Sequence, residues 1–138
     1  MIALPVGELE GLGRLEASAA EVTGVQIDSR RVRPGDLFVA VRGGVAYVDE
    51  ARGAGAAATL VPDDDHAAMA AIGRAVRDRS AADVVGITGS TGKTSTKDIL
   101  AALVAPHRRT VAAEASYNAE LGVPLTLARL EPDTEVLI

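Results

Sequence analysis

The sequence has no cysteine and only three aromatic residues, Phe38, Tyr47 and Tyr117, among its 138 residues. Without cysteine there are no disulfides, thiolate metal ligands or cysteine nucleophiles. So few aromatic side chains provide no stacking platform for single-stranded nucleic acid. No apolar run approaches the roughly 18 residues of a membrane span, and the N-terminus lacks the basic region of a secretory signal. These absences favour a cytoplasmic protein that binds neither nucleic acid nor membrane.

Positive charge is also scarce, since the net charge is -5 and the longest basic cluster is Arg30, Arg31 and Arg33. This balance argues against a nucleic acid as the main partner. Hydrophobic residues make up 48% of the chain, which excludes an intrinsically disordered protein. The core is therefore expected to be packed from alanine, valine, leucine and isoleucine.

Residues 1–80 are predicted to form one α/β unit. Apolar runs predict strands at Val22–Asp28, Leu37–Val41 and Thr59–Val61. Helices are predicted at Tyr47–Ala57 and Ala67–Arg79, the second from its amphipathic spacing. The region is expected to be a small domain in its own right.

The acidic run Asp63–Asp65 precedes the second of these helices. It is either a metal site or a helix cap. A cap is favoured, because aspartate satisfies the unpaired N–H groups at a helix start and suits the helix dipole.

After the predicted linker Ser80–Asp83, strands and helices alternate, which indicates a parallel α/β sheet. The predicted elements are Val84–Thr88, Lys93–Ala105, Thr110–Ala113, Val123–Leu130 and Glu135–Ile138. The last strand either lies at a sheet edge or belongs to a longer protein. The second is favoured, because parallel sheets need cover on both faces.

The strongest chemical signal is Gly89-Ser-Thr-Gly-Lys-Thr94, between the predicted strand and helix. Glycines let successive backbone N–H groups point at phosphate oxygens, and the helix N-terminus favours an anion. In such a loop Lys93 neutralises phosphate charge and Thr94 ligates Mg²⁺. The longer form of this motif is missed by one residue, since Ile87 stands where its first glycine belongs. The alternative is a glycine-rich turn without a ligand.

The residues after the loop carry weaker signals. Ser95 either contacts phosphate or caps the helix, and Lys97 is predicted to be a solvated surface side chain. In the sequence, no candidate ligand or catalytic residue stands at metal or catalytic spacing from His66 or His107, so neither is assigned a role.

Three stretches, in order, resemble the MurF family of the Mur ligases. The run GITGSTGKTSTKDIL looks like the ATP loop of these ligases. Asp28–Val41 is similar to their N-terminal nucleotide-sugar segment, and Ser116–Thr126 resembles a stretch typical of MurF. The resemblance covers nearly the whole chain.

This resemblance implies an ATP-dependent ligase that joins D-Ala-D-Ala to UDP-MurNAc-tripeptide through an acyl phosphate. Residues 1–80 would be the UDP-substrate domain, and residues 81–138 the first part of a parallel-sheet ATP-binding domain. The implied ATP contacts are Thr88, Gly89, Ser90, Thr91, Gly92, Lys93, Thr94 and Ser95, with Mg²⁺ on Thr94. The implied substrate contacts are Asp28, Ser29, Arg30 and Asn118.

Several features leave alternatives open. The loop Gly43–Tyr47 is shorter than the family's, and the family's metal-associated glutamate and C-terminal domain would follow Ile138. The chain is therefore expected to be the front third of a ligase, inactive without its C-terminal part. The alternatives are a stand-alone nucleotide or UDP-sugar binding module, or another Mur or folylpolyglutamate-type ligase. Residues 28–30 also fit a turn-stabilising cluster, and Asn118 also fits a side-chain-stabilised turn.

Overall fold

The computed structural model describes residues 1–114 and 121–138. The strands are β1 (Leu4–Pro5), β2 (Gly13–Ala17), β3 (Glu21–Val22), β4 (Gly24–Gln26), β5 (Asp36–Val39), β6 (Ala58–Pro62), β7 (Asp83–Val84), β8 (Thr110–Val111) and β9 (Val136–Leu137). The α-helices are α1 (Val48–Gly53), α2 (Asp65–Asp78), α3 (Lys93–Val104) and α4 (Gly122–Leu127). Short 3-10 helices span Val6–Leu9, Ser29–Arg31 and Gly44–Tyr47. This is the predicted α/β class.

The larger sheet has the strand order β2-β6-β5-β4. Strands β4, β5 and β6 are parallel, whereas β2 runs antiparallel to β6. Leu37 and Leu60 are fully buried in the same core as Met69 and Ile72 of α2. A second cluster, centred on Phe38, packs with residues of α1. Leucine, valine and alanine dominate this core, as the composition predicted.

The strand predicted at Val22–Asp28 is instead two short strands in different sheets. β3 pairs with β1, and β4 pairs with β5. The break falls at Thr23, whose N–H donates to the Gly35 carbonyl at 2.8 Å. Gly24 then approaches Asp36 so closely that a Cβ on it would lie 1.9 Å from Oδ1. The turn at Gly35 therefore determines where the strand breaks.

The smaller sheet has the order β7-β9-β8, and all of its pairs are parallel, as predicted. Of the predicted strand Val84–Thr88, only Val84 lies in β7, and residues 85–88 are outside it. β9 lies between the other two strands, so the less favoured alternative, that the last strand lies at the sheet edge, is excluded.

The four-stranded and three-stranded sheets both contribute residues to the larger hydrophobic cluster, which contains Leu60 of β6 and Leu137 of β9. Helix α2 packs on α4 so closely that a Cβ on Gly73 would lie 3.0 Å from Pro124 Cα. The Ile2 N–H donates to the Leu130 carbonyl at 2.7 Å, and Leu4 and Leu130 are both fully buried. The segments on either side of residues 80–83 are thus packed together, and the domain boundary there stays a prediction. No helix in residues 1–114 and 121–138 combines the length and apolarity that crossing a membrane requires.

Candidate nucleotide and substrate site

The predicted phosphate loop lies between β7 and α3 and turns on two glycines. Gly89 has φ +146° and Gly92 has φ +78°, conformations that L side chains rarely adopt. Gly92 occupies the position before the first helical residue, and no side chain caps the helix there. The N–H groups of the first helical turn are therefore available to an anion.

The Lys93 ammonium folds back over this loop and donates to the Gly89 carbonyl. Lys93 is half-buried, whereas the hydroxyl-bearing residues around it are exposed. These exposed residues are Thr88, Ser90, Thr91, Thr94 and Ser95. The predicted ATP contacts are thus together in one solvent-accessible loop with a cation across it.

A cleft of about 1020 Å³ lies among the described residues. One wall holds Asp28, Ser29 and Arg30, three of the predicted substrate contacts. Glu114 and Arg129 also line the cleft. Asn118, the fourth predicted contact, lies outside the described residues.

The cluster at residues 28–30 has both structural and recognition features. The Arg30 guanidinium donates to Asp28 at 2.9 Å from Nε and 2.7 Å from Nη2, and the Arg30 N–H donates at 3.1 Å. The side-chain bond lowers the pKa of Asp28 to about 2. Asp28 thus stabilises the 3-10 helix, while the Arg30 side chain remains 80% exposed and open to a ligand.

The sequence analysis did not predict Glu114 and Arg129 as cleft residues. Arg129 Nη1 lies 3.3 Å from Glu114 Oε1 and donates to the Ala112 carbonyl at 3.1 Å. Arg129 is exposed between two buried residues, Ala128 and Leu130, and no local motif marks it as a cleft residue. Tyr47 also lines the cleft and is 54% exposed.

Lys97 is not the solvated surface residue that the sequence predicted. Its side chain is 12% exposed, because its ammonium donates to the Ala113 carbonyl and to Asp98 Oδ1, both at 2.6 Å. The strand β8 ends two residues before Ala113, so Lys97 connects α3 to the end of that strand.

The acidic run Asp63–Asp65 is a helix cap, as favoured. Asp64 Oδ1 accepts from the Ala67 N–H at 2.9 Å at the start of α2, and this bond lowers the pKa of Asp64. Asp65 Oδ2 accepts from the Arg42 N–H at 2.8 Å. Over the stretches 1–114 and 121–138, no three metal-ligating side chains come together.

An α/β scaffold with a parallel sheet, a glycine loop and a lysine at the start of the following helix defines a protein of the phosphate-loop class. Within that class, residues 21–108 match the Mur ligase family catalytic domain and residues 87–138 match the Mur ligase middle domain. The chain therefore belongs to the Mur ligase family.

Curated relatives include UDP-N-acetylmuramoyl-tripeptide--D-alanyl-D-alanine ligases. The one from Escherichia coli is 32% identical and aligns with 100% of this chain and 34% of its own length. The one from Mycobacterium tuberculosis is 36% identical and aligns with 96% of this chain and 34% of its own. The chain thus spans about one third of the length of these relatives.

Solved structures give the same result. A crystal structure of MurF from Acinetobacter baumannii matches 98% of this chain and 35% of its own, with a TM-score of 0.81 and 25% identity. MurF ligase from Thermotoga maritima in complex with ADP matches 84% of this chain and 31% of its own, with a TM-score of 0.64 and 31% identity. The predicted resemblance to the MurF family is confirmed.

Proposed function

We propose that this chain supplies the nucleotide loop and the substrate cleft of an ATP-dependent ligase that joins D-Ala-D-Ala to UDP-MurNAc-tripeptide. The observation that carries this proposal is one scaffold holding both a phosphate loop and a cleft that contains the predicted substrate contacts. The named relatives, which are ligases of this kind, support it.

At the loop, the backbone N–H groups of residues 89–92 and the start of α3 hold the ATP phosphates. On binding, the Lys93 ammonium exchanges the Gly89 carbonyl for phosphate oxygens. Thr88, Ser90, Thr91 and Ser95 present hydroxyls around the same anion. The exposed Thr94 hydroxyl stands on the first turn of α3 and suits a hard cation, so it would hold Mg²⁺, which neutralises phosphate charge.

In the cleft, Arg30 binds the diphosphate of the UDP group, because a planar guanidinium matches phosphate oxygens in pairs. Asp28 orients that guanidinium, and the partly enclosed Ser29 adjoins it. Asn118 is assigned to the same substrate. The cleft volume is at the upper end of the roughly 300–1,000 Å³ typical of ligand sites.

Residues 1–80 then form the UDP-substrate unit and residues 81–138 the first part of the ATP unit, in a protein of the cytoplasm. The reaction has two steps. A substrate carboxylate oxygen attacks the γ-phosphorus of ATP, which gives an acyl phosphate and ADP. The amine of D-Ala-D-Ala then attacks the acyl carbon, forming the amide and releasing phosphate and a proton.

Positioning supplies most of the acceleration in such transfers. The 138 residues offer the loop and the cleft, and the amine site is assigned to the C-terminal part found in the longer relatives. We therefore expect no phosphate release above background when this chain alone is given ATP, UDP-MurNAc-tripeptide and D-Ala-D-Ala.

Calorimetry tests the proposal directly. Mg-ATP and UDP-MurNAc-tripeptide should each bind the chain, with Arg30→Ala weakening only the second. Arg74→Ala, an exposed arginine on α2, is the matched control and should change neither affinity. If neither ligand binds the folded chain, the proposal is wrong. Binding of both followed by turnover would instead show that the remaining length of the relatives is dispensable.

A further inference from the structure

Helix α3 is largely exposed, and one of its charged side chains is bonded to the neighbouring segment. None of its residues is buried, and Ile99 and Leu103 are 61% and 66% exposed. Lys97 is different, because its side chain is only 12% exposed and its ammonium lies 2.6 Å from the Ala113 carbonyl oxygen. A charge-assisted hydrogen bond of this kind is about twice as strong as one between neutral groups.

A second cation holds the neighbouring residue. Arg129 Nη1 donates to the Ala112 carbonyl at 3.1 Å. The Ala113 N–H donates to the Ile138 carbonyl at 3.0 Å. Residues 112 and 113 therefore continue past β8 under three restraints, which come from Lys97 of α3, from Arg129 just beyond α4 and from the residue after β9.

Residues 112–114 have a link to each part of the proposed site. Lys97 is four residues after Lys93, so the two side chains lie on the same face of α3. Lys93 bonds to the phosphate loop, and Lys97 bonds to Ala113, directly before the cleft residue Glu114. In parallel α/β sheets, ligands bind at the carboxyl ends of the strands, where this segment begins.

We propose that Lys97 is a positioning residue that ties the phosphate-loop helix to residues 112–114, the segment that ends at the cleft residue Glu114. Nucleotide at the loop fixes the start of α3, and through Lys97 it also fixes the segment that carries Glu114. The inference rests on the proposed function in one respect, that the loop binds nucleotide. It adds a route by which occupancy of the loop acts on the cleft.

Hydrogen exchange of the 138-residue chain, with and without Mg-ATP, tests this route. In the wild type, Mg-ATP should slow exchange both at residues 89–96 and at residues 109–114. In Lys97→Met, Mg-ATP should still slow exchange at residues 89–96 but no longer at residues 109–114, because methionine has a similar length and lacks the N–H donor. Lys97→Arg should restore the protection at 109–114, since it returns an N–H donor.

Asp98→Asn is the matched control, because it changes the other partner of the ammonium and leaves the Ala113 bond in place. It should behave as the wild type. If Lys97→Met does not fold, Lys97→Gln is the second variant. The glutamine side chain is too short for its amide to reach the Ala113 carbonyl. Retained protection at 109–114 in the folded variants overturns the inference while the proposed function stands. A wild type that binds no Mg-ATP overturns both.

Discussion

Helices α2 and α3 differ in how their first N–H groups are capped and in how many of their residues are buried. In α2, Asp64 caps the first turn with its own carboxylate, and five residues face the core. In α3, a left-handed glycine without a side-chain cap precedes the first turn, and no residue is buried. In α2, a side chain of the protein thus accepts a hydrogen bond from the first turn. The first N–H groups of helix α3 have no side-chain cap, which fits the proposal that they bind the phosphates of a nucleotide.

The largest expected effect is on the free energy of unfolding. It should appear when the same isoleucine-to-alanine substitution is made once in each helix. Ile72 in α2 is 1% exposed and Ile99 in α3 is 61% exposed. We expect Ile72→Ala to lower the free energy of unfolding by about 2–5 kcal/mol, because it removes buried methyl groups and leaves a cavity. Ile99→Ala should stay within about 0.5 kcal/mol. Urea unfolding measures both, and equal losses would abolish the contrast.

Nucleotide binding should distinguish the two helix starts next. Lys93→Ala should weaken Mg-ATP binding about 10- to 100-fold, as expected when a bond to a charged group worth about 1.5–3 kcal/mol is lost. Asp64→Ala, at the start of α2, should leave this affinity unchanged. Calorimetry with equal affinity for wild type and Lys93→Ala would contradict the assignment of the loop.

The cap of α2 should have a smaller effect on stability. Asp64→Ala removes the acceptor for the Ala67 N–H and should cost about 1 kcal/mol of unfolding free energy. Asp63→Ala, one residue earlier, is the control for the loss of a neighbouring carboxylate. If thermal or urea unfolding gives the same loss of stability for Asp64→Ala and Asp63→Ala, the negative charge of the run stabilises the helix rather than the cap.

The smallest effect concerns acid stability at the cleft. The pKa of Asp28 is lowered in the folded chain to about 2 from its usual 3.8. Its contribution to stability is therefore fully present above about pH 4 and is lost as the pH falls through 2. The stability difference between wild type and Asp28→Asn, followed by urea unfolding, should be constant above pH 4 and shrink below it. A difference that does not change down to pH 2 would contradict the pair with Arg30.

How far the sequence predicts this molecule depends on whether the signal is local. The α2 cap, the start of α3 at Lys93 and the parallel pairing of β7, β8 and β9 follow from local patterns, and the structure confirms them. The break at Thr23 was missed because it depends on Gly35, which is distant in sequence.

The same reason explains what was missed at the site. The contact of Lys97 with Ala113 and the position of Arg129 on the cleft wall both require the tertiary arrangement. The loop itself is one continuous segment, and its residues could be named from the motif alone. The cleft joins segments that are far apart in the chain, so only the wall at residues 28–30 was predicted.

The bond between Ile2 and Leu130 has a consequence for the order of folding. Ile2 and Leu130 are far apart in the sequence, so this contact closes a very long loop of chain. Contacts between distant residues carry the largest closure entropy and slow folding. We expect β5 and β6 to pair early and the Ile2 contact to form late. Pulse-labelled exchange during refolding would show this as protection of the Leu60 amide before that of Ile2.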